Sequence, residues 1–395
     1  MSTPNGAEDS DFVVVGAGLA GAATAWQLAL AGQEVTLVER GVPADPGGSS
    51  HGSARIFRYA YPDAFYADLV VRARTCWTEL EQACGTRLVT ETGSLDFGGG
   101  RGPVELGRVL EQVGVEHSLL GEDEARERWP GIRSSGRVLW NPTAGVIDAE
   151  AGVHAMVELA VAEGARLLTG WSVSSVTSAD HVGERGRRYR VISETGDTLT
   201  ARRVVVAAGG WLPDLIHDLG LPDSFVHSLP RLTVRQEQVF HFPYRDATEA
   251  WPTTIHGTED MLTYSLPGGR DAGFRGQKLA EFEGGRSIGS AAHQDGHVDP
   301  ANRARLVEYA RTWLPGLVPE PYAETTCLFT MTPTEDFVLD RYDGLTVVSP
   351  CSGHGAKFAP LIGRLAAEAV TADSADEARA VVPGRFHVVR HAAGG

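Results

Sequence analysis

The sequence predicts an α/β protein of two domains: a doubly wound, Rossmann-like domain assembled from discontinuous segments, and a second domain built on a mixed or antiparallel sheet. Three observations predict this fold. A strand, a glycine-rich turn and a helix follow one another in residues 11–40; a similar unit occupies residues 344–370; and segments typical of strands lie between them. The length of 395 residues and the hydrophobic content of 42% are ordinary for a globular chain of this kind.

The first unit has the sequence DFVVVGAGLAGAATAWQLALAGQEVTLVER. The apolar run FVVV is typical of a buried parallel strand, and Gly32 ends the helix that follows the turn. Gly16 permits a tight turn, Gly18 lets a pyrophosphate approach the backbone, and Gly21 lets helix and strand touch. Glu39 ends the second strand, where a carboxylate can hold two ribose hydroxyls. The unit therefore predicts a dinucleotide site whose phosphates meet the amino end of the helix.

The dinucleotide predicted at this site is FAD. A single fingerprint lies near the amino terminus, and no second GxGxxG offers a site for a nicotinamide nucleotide. Residues 164–177 and 202–216 indicate further strands of the same sheet, and glycines after such strands let the backbone approach a ligand. The predicted cofactor contacts are Gly16, Gly18, Leu19, Ala20, Gly21, Glu39, Arg40, Ser49, Val173, Ala208, Gly209, Trp211, Gly353, Gly355 and Lys357.

The predicted domains are interleaved along the chain. We assign residues 1–86, 146–222 and 326–395 to the FAD-binding domain, and residues 87–145 and 223–325 to a substrate domain. In the latter, residues 87–99, 229–243 and 261–284 indicate strands, and the apolar spacing of residues 301–317 predicts a helix. We expect the tail, residues 387–395, to be frayed.

Composition excludes several classes of function. The formal net charge of −16 disfavours nucleic acid and anionic lipid as partners. The polar start MSTPNGAEDSD does not resemble a secretory signal, and no apolar run approaches the ~18 residues of a membrane span. Four cysteines without a CxxC pair indicate no metal site and a reducing compartment. We therefore expect a cytoplasmic, monomeric enzyme; a strong bias towards arginine indicates a GC-rich bacterial genome.

Five motifs in order resemble one family. GAGLAG (16–21), HGSARIFRYAY (51–61), GQKL (276–279), TTCLFTMTPTEDFVLD (325–340) and SGHGAKF (352–358) are similar to motifs of the monomeric sarcosine oxidase and N-methyltryptophan oxidase family. This family belongs to the D-amino-acid-oxidase-like flavoproteins, and the resemblance covers nearly the whole chain. It implies oxidation of the C–N bond of a secondary, N-methyl or cyclic amino acid to an imine, with O2 reduced to H2O2.

The resemblance also implies roles around the flavin ring. Cys327 matches the cysteine that these enzymes bond to the flavin 8α-methyl, so the FAD is expected to be covalent. His51 and Arg55 match residues beside the isoalloxazine, and Lys278 matches the lysine near flavin N5 where oxygen is reduced. Alternatively, His51 caps a turn, Arg55 lies on a surface helix, and Cys327 is a buried small hydrophobe.

The substrate residues implied by the resemblance are Arg58, Lys357, Tyr264, Phe282 and Phe329. Arg58 and Lys357 would hold a carboxylate, because a fork donor and a point cation together suit that group. Tyr264 matches an active-site tyrosine. Phe282 and Phe329 replace a histidine and a tyrosine of sarcosine oxidase, so a larger or more apolar amine is expected. The alternative for Tyr264 and Phe329 is ordinary packing, and for Arg58 a surface helix.

The two lysines of the chain, Lys278 and Lys357, both fall on these positions, although the chain has 35 basic residues. A compact ammonium in a dry site lowers the barrier to a superoxide-like anion better than a broad guanidinium does. The alternative is that two lysines escaped the coding bias by chance.

Other functions stay open. They are a flavin-dependent tailoring oxidase or dehydrogenase of a cyclic imino acid or another amine in secondary metabolism, and a flavin-bearing binding or sensor protein. A monooxygenase is disfavoured, because residues 344–358 lack the Gly-Asp ending typical of those proteins.

Overall fold

The structure is a computed structural model, and it describes residues 8–183 and 186–389. Residues 1–7 and 390–395, which include most of the predicted frayed tail, lie outside the described residues. The strands are β1 (Glu8–Val15), β2 (Val35–Val38), β3 (Arg55–Phe57), β4 (Val89–Glu91), β5 (Ser94–Phe97), β6 (Ser118–Leu120), β7 (Val138–Asn141), β8 (Gly145–Ile147), β9 (Arg166–Leu168), β10 (Val173–Gly183), β11 (Gly186–Ser193), β12 (Thr198–Val206), β13 (Thr233–Pro243), β14 (Thr253–Gly257), β15 (Leu262–Pro267), β16 (Gly276–Glu281), β17 (Arg286–Ile288), β18 (Ala323–Met331), β19 (Val338–Tyr342) and β20 (Leu345–Ser349). The helices are α1 (Leu19–Leu30), α2 (Ala64–Cys84), α3 (Pro103–Gln112), α4 (Glu122–Arg128), α5 (Ala149–Ala162), α6 (Leu212–Leu215), α7 (Asp223–Ser228), α8 (Pro300–Trp313), α9 (Ala359–Thr371) and α10 (Ala375–Val381).

The first sheet confirms the predicted Rossmann-like unit. Strands β9, β2, β1, β12 and β20 run parallel in that order, with the β10–β11 hairpin beside the start of β12 and β19 beside β20. Helices α1, α5 and α9 pack together on one face of this sheet. Close approach of α1 and α9 requires glycine, because a Cβ on Gly363 would lie 2.4 Å from the Cβ of Ala23.

The second sheet is mixed, as predicted, and most of its pairs are antiparallel. Its order is β17–β13–β16–β15–β14–β5–β7–β6, and β18 pairs along the length of β13. The predicted helix at residues 301–317 is α8, which ends at Trp313 because Pro315 disfavours a helical conformation at the residue before it. The predicted boundary at residue 326 falls inside β18, a strand of this second sheet; the domain boundaries stay a prediction.

Strand register brings the chemistry-bearing residues of the second sheet to one face. His241 is the cross-strand partner of Lys278, and Tyr264 is the partner of Ala280. Glu237 is the partner of Cys327 on β18. Because side chains alternate along a strand, Lys278, Tyr264 and Cys327 project from the same face. A small third sheet, β3–β8–β4, carries Arg55 next to that face.

Candidate active site

A cavity of about 500 Å³ lies at the carboxyl ends of the parallel strands of the first sheet. The ends of β1, β2, β12 and β20 all contribute to its lining, which is where open parallel sheets bind their ligands. Its volume lies within the ~300–1,000 Å³ range of small-molecule sites. The lining residues are scattered along the chain, and the first and last of them are Val15 and Ala359. We call this cavity the cofactor cavity.

The glycines of the first turn have the geometry that the sequence predicts. Gly16 has a φ of +96°, and a Cβ on it would lie 2.6 Å from the carbonyl oxygen of Ala207. A Cβ on Gly21 would lie 1.8 Å from the carbonyl oxygen of Gly16, so only glycine fits there. Gly18 is the residue before α1, and the free N–H groups at the start of that helix face the cavity end of the sheet. These features form the cradle that a pyrophosphate requires.

Glu39, the acid predicted to bind the ribose, is held in place by backbone groups. Oε2 of Glu39 accepts a hydrogen bond from the backbone N–H of Ala17 at 2.7 Å, and Oε1 accepts one from Gly41 at 2.9 Å. Each carboxylate oxygen has further acceptor capacity, so both remain able to bind hydroxyls. Next to it, the guanidinium of Arg40 lies 4.6 Å from the ring centroid of Trp211.

Most predicted cofactor contacts line the cofactor cavity. Those that do are Gly16, Gly18, Leu19, Ala20, Glu39, Arg40, Ser49, Val173, Ala208, Gly209, Trp211, Gly353 and Gly355. Gly21, Cys327 and Lys357 are not among its lining residues. The sequence analysis missed Asp45, Ser50, Trp171, Glu194 and Cys351, which also line it. Of these, Ser50 directly precedes the HGSARIFRYAY motif, Cys351 directly precedes SGHGAKF, and Trp171 lies within the strand-like segment 164–177, so these three had a nearby signal. The lining residues fit FAD, since they supply a glycine cradle, a helix terminus and an acid for the ribose.

A second cavity of about 520 Å³ adjoins the first one. It brings together four residues predicted to lie around the flavin ring: His51, Arg55, Lys278 and Cys327. Arg55 lines both cavities and therefore stands between them. It is held there by hydrogen bonds that its Nη2 donates to the carbonyl oxygens of Ser49 at 3.1 Å and of His51 at 2.6 Å. The alternative that Arg55 lies on a surface helix is wrong, because Arg55 begins strand β3.

Lys278 is buried, with 6% of its surface exposed. Its Nζ donates a hydrogen bond to the carbonyl oxygen of Ala54 at 3.1 Å. Burial and, to a smaller extent, the charge of Arg55 lower the pKa of Lys278 to about 8, against the opposing effect of the Cys327 and Asp271 groups. The lysine is therefore a cation at neutral pH in a dry site.

Two histidines flank this lysine, and the sequence analysis missed one of them. Burial lowers the pKa of both His51 and His241 to about 4, so both imidazoles are neutral at pH 7. The buried Nε2 of His51 and Nδ1 of His241 have no hydrogen-bond partner within the described ranges. Asp271, which was also missed, accepts a hydrogen bond from Ser53 Oγ at 2.5 Å and lines the same cavity. His241 and Asp271 carry no motif; strand register brings His241 to Lys278, and Asp271 reaches the same cavity from the segment between β15 and β16.

Cys327 packs against Tyr264, Val239 and Ala280 on the face of the second sheet. Burial raises the pKa of the Cys327 thiol, and the charges of Arg55 and Lys278 oppose that rise only in part. Burial is therefore the larger of the two effects on the thiol pKa. Burial also raises the pKa of Tyr264 well above its usual value, so its hydroxyl stays protonated.

Arg58 and Lys357 meet at one aromatic ring. The guanidinium of Arg58 lies 4.6 Å from the ring centroid of Tyr61, and Nζ of Lys357 donates a hydrogen bond to the Tyr61 hydroxyl at 3.0 Å. Burial lowers the pKa of Lys357 well below its usual value, and the charge of Arg58 adds to this effect. Neither cation forms an ion pair with a carboxylate of residues 8–183 or 186–389. The alternative that Arg58 lies on a surface helix is wrong, because Arg58 is half-buried and directly follows strand β3.

The two apolar rings predicted to lie at the substrate are close to each other in space. The ring centroids of Phe282 and Phe329 are 6.1 Å apart with an interplanar angle of 41°. Gly353, with a φ of +71°, lies against both rings, since a Cβ there would be 3.0 Å from Phe329 and 3.1 Å from Phe282. Phe329 and Gly353 also line the cofactor cavity, so the aromatic pair borders the predicted flavin. Arg58, Lys357, Tyr264 and Phe282 line neither of the two cavities.

Within the ranges that the structure describes, no helix has the length and apolar character needed to span a bilayer. In the same ranges no group of three or more His, Cys, Asp or Glu side chains is arranged to hold a metal ion.

Comparison with known proteins identifies relatives over almost the full length. The family described as FAD dependent oxidoreductase matches residues 11–369. The chain is 28% identical to monomeric sarcosine oxidase of Bacillus sp. (strain NS-129), covering 91% of this chain and 92% of that protein. It is also 28% identical to N-methyl-L-tryptophan oxidase of Yersinia pestis (strain Pestoides F), covering 91% and 94%. These matches confirm the resemblance inferred from the motifs.

A solved structure with the same fold is that of NikD, described as an unusual amino acid oxidase essential for nikkomycin biosynthesis. The TM-score is 0.80 at 26% identity, and the match covers 93% of this chain and 95% of NikD. The two-sheet architecture deduced above is therefore that of a known flavoenzyme fold.

Proposed function

The chain belongs to the family of FAD-dependent oxidoreductases, and from this premise we propose that it is an amine oxidase that converts the C–N bond of an amino acid into an imine. The substrate is a secondary, N-methyl or cyclic amino acid. In the overall reaction the amine loses two hydrogen atoms and O2 gains them as H2O2. The similar proteins named sarcosine oxidase, N-methyl-L-tryptophan oxidase and unusual amino acid oxidase support this class of substrate.

The observation that carries the proposal is the pair of basic side chains at Tyr61, the half-buried Arg58 and the buried Lys357. Arg58 and Lys357 are both desolvated, and no carboxylate of the described residues pairs with either of them. Buried charges are normally paired, so this arrangement is costly unless a ligand supplies the anion. A substrate carboxylate matches the fork of Arg58 and the point charge of Lys357. Binding there would fix the amino acid by one end and leave its amine free to face the flavin.

FAD, when bound, supplies the acceptor for the two electrons of the C–H bond. The residues of this chain that would hold it are the glycine cradle, Glu39 and the helix terminus of α1. Lys278 and Arg55 would place two positive charges beside the position where O2 is reduced, and a preorganised cation stabilises the negative charge that develops on oxygen. The neutral imidazoles of His51 and His241 add no further positive charge.

The aromatic pair sets the size of the substrate. Phe282 and Phe329 present ring surface rather than hydrogen-bonding groups beside Gly353. Apolar surface favours an amine with a ring or a longer apolar group over sarcosine itself. We therefore propose a cyclic imino acid or a bulky N-methyl amino acid as the substrate class.

Attachment of FAD to Cys327 is part of the proposal. A C–S bond would replace the S–H bond of Cys327 and one C–H bond of the flavin 8α-methyl; the two protons and two electrons released would convert O2 to H2O2. Its support is the place of Cys327 beside Lys278 and Arg55 in the second cavity. A monomeric state is likewise proposed, from the similar protein named monomeric sarcosine oxidase, and sedimentation measures it. The cytoplasmic location stays a prediction.

An aerobic screen of secondary amino acids, proline analogues and N-methyl amino acids, read out as peroxide, tests the function. We expect at least one compound to give peroxide in proportion to the O2 consumed. Bleaching of the flavin by an amine without air, combined with little peroxide in air, would indicate a dehydrogenase. The absence of bleaching by any amine would contradict catalysis and favour a sensor.

The second candidate is a tailoring enzyme of secondary metabolism that oxidises a cyclic imino acid or another amine. The observation that favours it is the similarity to NikD, whose description assigns it to the biosynthesis of nikkomycin. The two candidates share the chemistry of the site and differ in the preferred amine. Relative kcat/KM values for free proline analogues and for larger cyclic imino acids separate them.

A further inference from the structure

A chain of hydrogen bonds runs from Lys357 away from the proposed substrate position. Nζ of Lys357 donates to the hydroxyl oxygen of Tyr61 at 3.0 Å. That hydroxyl lies 3.0 Å from Nδ1 of His354, and Nε2 of His354 lies 3.1 Å from the backbone carbonyl oxygen of Glu335. Neither Tyr61 nor His354 was assigned a role by the motifs that contain them.

The direction of every bond in this chain follows from the chemistry of its ends. The carbonyl oxygen of Glu335 can only accept, so Nε2 of His354 carries the hydrogen. Burial and, to a smaller extent, the charge of Lys357 lower the pKa of His354 to about 3, so the ring is neutral and Nδ1 has no hydrogen. Nδ1 therefore accepts, and the hydroxyl of Tyr61 must donate to it. The oxygen of Tyr61 can then only accept a hydrogen bond from Lys357.

This direction decides what remains free on the lysine. An ammonium group has three N–H donors, and a bound carboxylate stabilises the ammonium form of Lys357. One donor is taken by the oxygen of Tyr61, and a second by the backbone carbonyl oxygen of His354 at 2.7 Å. One N–H is left for a ligand. The hydroxyl of Tyr61 cannot compete for that ligand, because its own hydrogen points to His354.

The same tyrosine also fixes the second cation. The guanidinium of Arg58 lies over the Tyr61 ring at 4.6 Å from its centroid, and Tyr66 stacks on Tyr61 at 5.4 Å with an interplanar angle of 25°. The ring of His354 stacks in turn on Phe337, with centroids 4.8 Å apart. Tyr61 thus contacts Arg58 through its ring and Lys357 through its hydroxyl.

We propose that Tyr61 and His354 are positioning residues that set the spacing of Arg58 and Lys357 and aim the one free N–H of Lys357 at the substrate carboxylate. This inference rests on the proposed function for its substrate. Aromatic packing alone explains why rings stand at these positions, but it does not require the hydroxyl of Tyr61 or the Nδ1 acceptor of His354. The hydroxyl and the acceptor are therefore the atoms to remove.

The small number of lysines gives a readout that needs no substrate. Protein labelled with ¹³C and ¹⁵N at lysine shows side-chain NMR signals from Lys278 and Lys357 alone. The variant Lys278→Met assigns them. We expect Tyr61→Phe to move the Lys357 signal and to leave the Lys278 signal in place. Tyr66→Phe is the matched control, because its hydroxyl donates to Asp336 at 2.8 Å and not to Lys357. We expect it to leave both signals in place.

Kinetics with the amino acid found by the screen test the effect on function. We expect Tyr61→Phe to raise KM by about tenfold with little change in kcat, as for the loss of one hydrogen bond to a charged group. The methyl ester of the same substrate should show no such difference between variant and wild type. Tyr66→Phe should resemble wild type in both assays.

Variants of His354 keep the inference testable if Tyr61→Phe does not fold. His354→Asn retains an acceptor near the position of Nδ1, whereas His354→Leu removes it. We expect the asparagine variant to keep the Lys357 signal and KM closer to wild type than the leucine variant does. An unmoved Lys357 signal in Tyr61→Phe, or equal effects of the two His354 variants, would overturn the inference. Failure of the proposed function shows separately, as a wild-type flavin that no amine reduces.

Discussion

Nζ of Lys278 donates a hydrogen bond to the backbone carbonyl oxygen of Ala54 at 3.1 Å. This single contact ties β16 of the second sheet to the segment that carries His51 and Arg55. The lysine is thereby fixed in the wall of the second cavity rather than free to swing into solvent. A fixed cation contributes to catalysis without reorganisation during the reaction.

Replacement of this cation should impair one half-reaction alone. In Lys278→Met we expect reduction of the flavin by the amine to stay comparatively intact, while reoxidation by O2 slows about 10²-fold or more. Stopped-flow measurement of the two half-reactions checks this. An unchanged rate of reoxidation would remove Lys278 from the reaction with oxygen.

The rate of that oxygen reaction should depend on pH. Because the pKa of Lys278 is lowered to about 8, the side chain is a cation below that pH and neutral above it. The rate constant for reoxidation should therefore be high near neutral pH and fall as the pH rises through about 8. Stopped-flow traces between about pH 6 and pH 10 measure it, and Lys278→Met should lack the inflection.

Loss of either cation at Tyr61 should weaken binding of the substrate carboxylate. We expect Arg58→Ala or Lys357→Ala to cost roughly 2–5 kcal/mol in kcat/KM, because a desolvated charge loses its partner. Esterification of the substrate should have a similar effect in the wild type. Arg58→Lys, which retains charge but loses the fork, is the control and should recover only part of the loss. An ester oxidised as well as the free acid would contradict the assignment.

Acid precipitation tests the attachment of the flavin. We expect the wild-type pellet and its tryptic peptide around Cys327 to retain flavin, and Cys327→Ser to release it. Cys351→Ser is a sharp control, because Cys351 lines the cofactor cavity while Cys327 lines the second one. A colourless wild-type pellet would refute the linkage and leave the oxidase proposal standing.

Polar groups at the aromatic pair should shift the choice of amine. We expect the double variant Phe282→His and Phe329→Tyr to raise kcat/KM for sarcosine relative to a cyclic imino acid by about tenfold, since one such contact contributes about 1–3 kcal/mol. Tyr309→Phe, a buried tyrosine of α8 whose hydroxyl contacts His256, is a control outside this region. An unchanged ratio would show that these rings do not set specificity.

The cofactor cavity could be predicted in large part because its signals are local. Turn, helix and acid follow one another between Gly16 and Glu39, and each has a steric or electrostatic reason that is visible in sequence. The motifs likewise marked Lys278 and Cys327, which the structure places in one cavity.

The rest could not be predicted because it depends on register and on distant segments. His241 reaches Lys278 only as its cross-strand partner, and Asp271 reaches the same cavity from a loop. His354 and Tyr61 lie 293 positions apart, and nothing local relates them. The rise in the pKa of the Cys327 thiol could not be predicted either, because it is caused by burial, and burial is a property of the folded sheet.

The interleaving of the first sheet has a consequence for biosynthesis. β1 pairs with β12, and β12 pairs with β20. The lining of the cofactor cavity extends from Val15 to Ala359 along the chain, so it is complete only after Ala359 has been synthesised. Pairings between such distant segments are slow to form, and incomplete chains expose apolar strands. We therefore expect flavin to join the chain only after the segment up to Ala359 has been synthesised, and to stabilise the folded state by mass action. In a cell short of riboflavin, the yield of this protein would fall through degradation of chains that never received their cofactor.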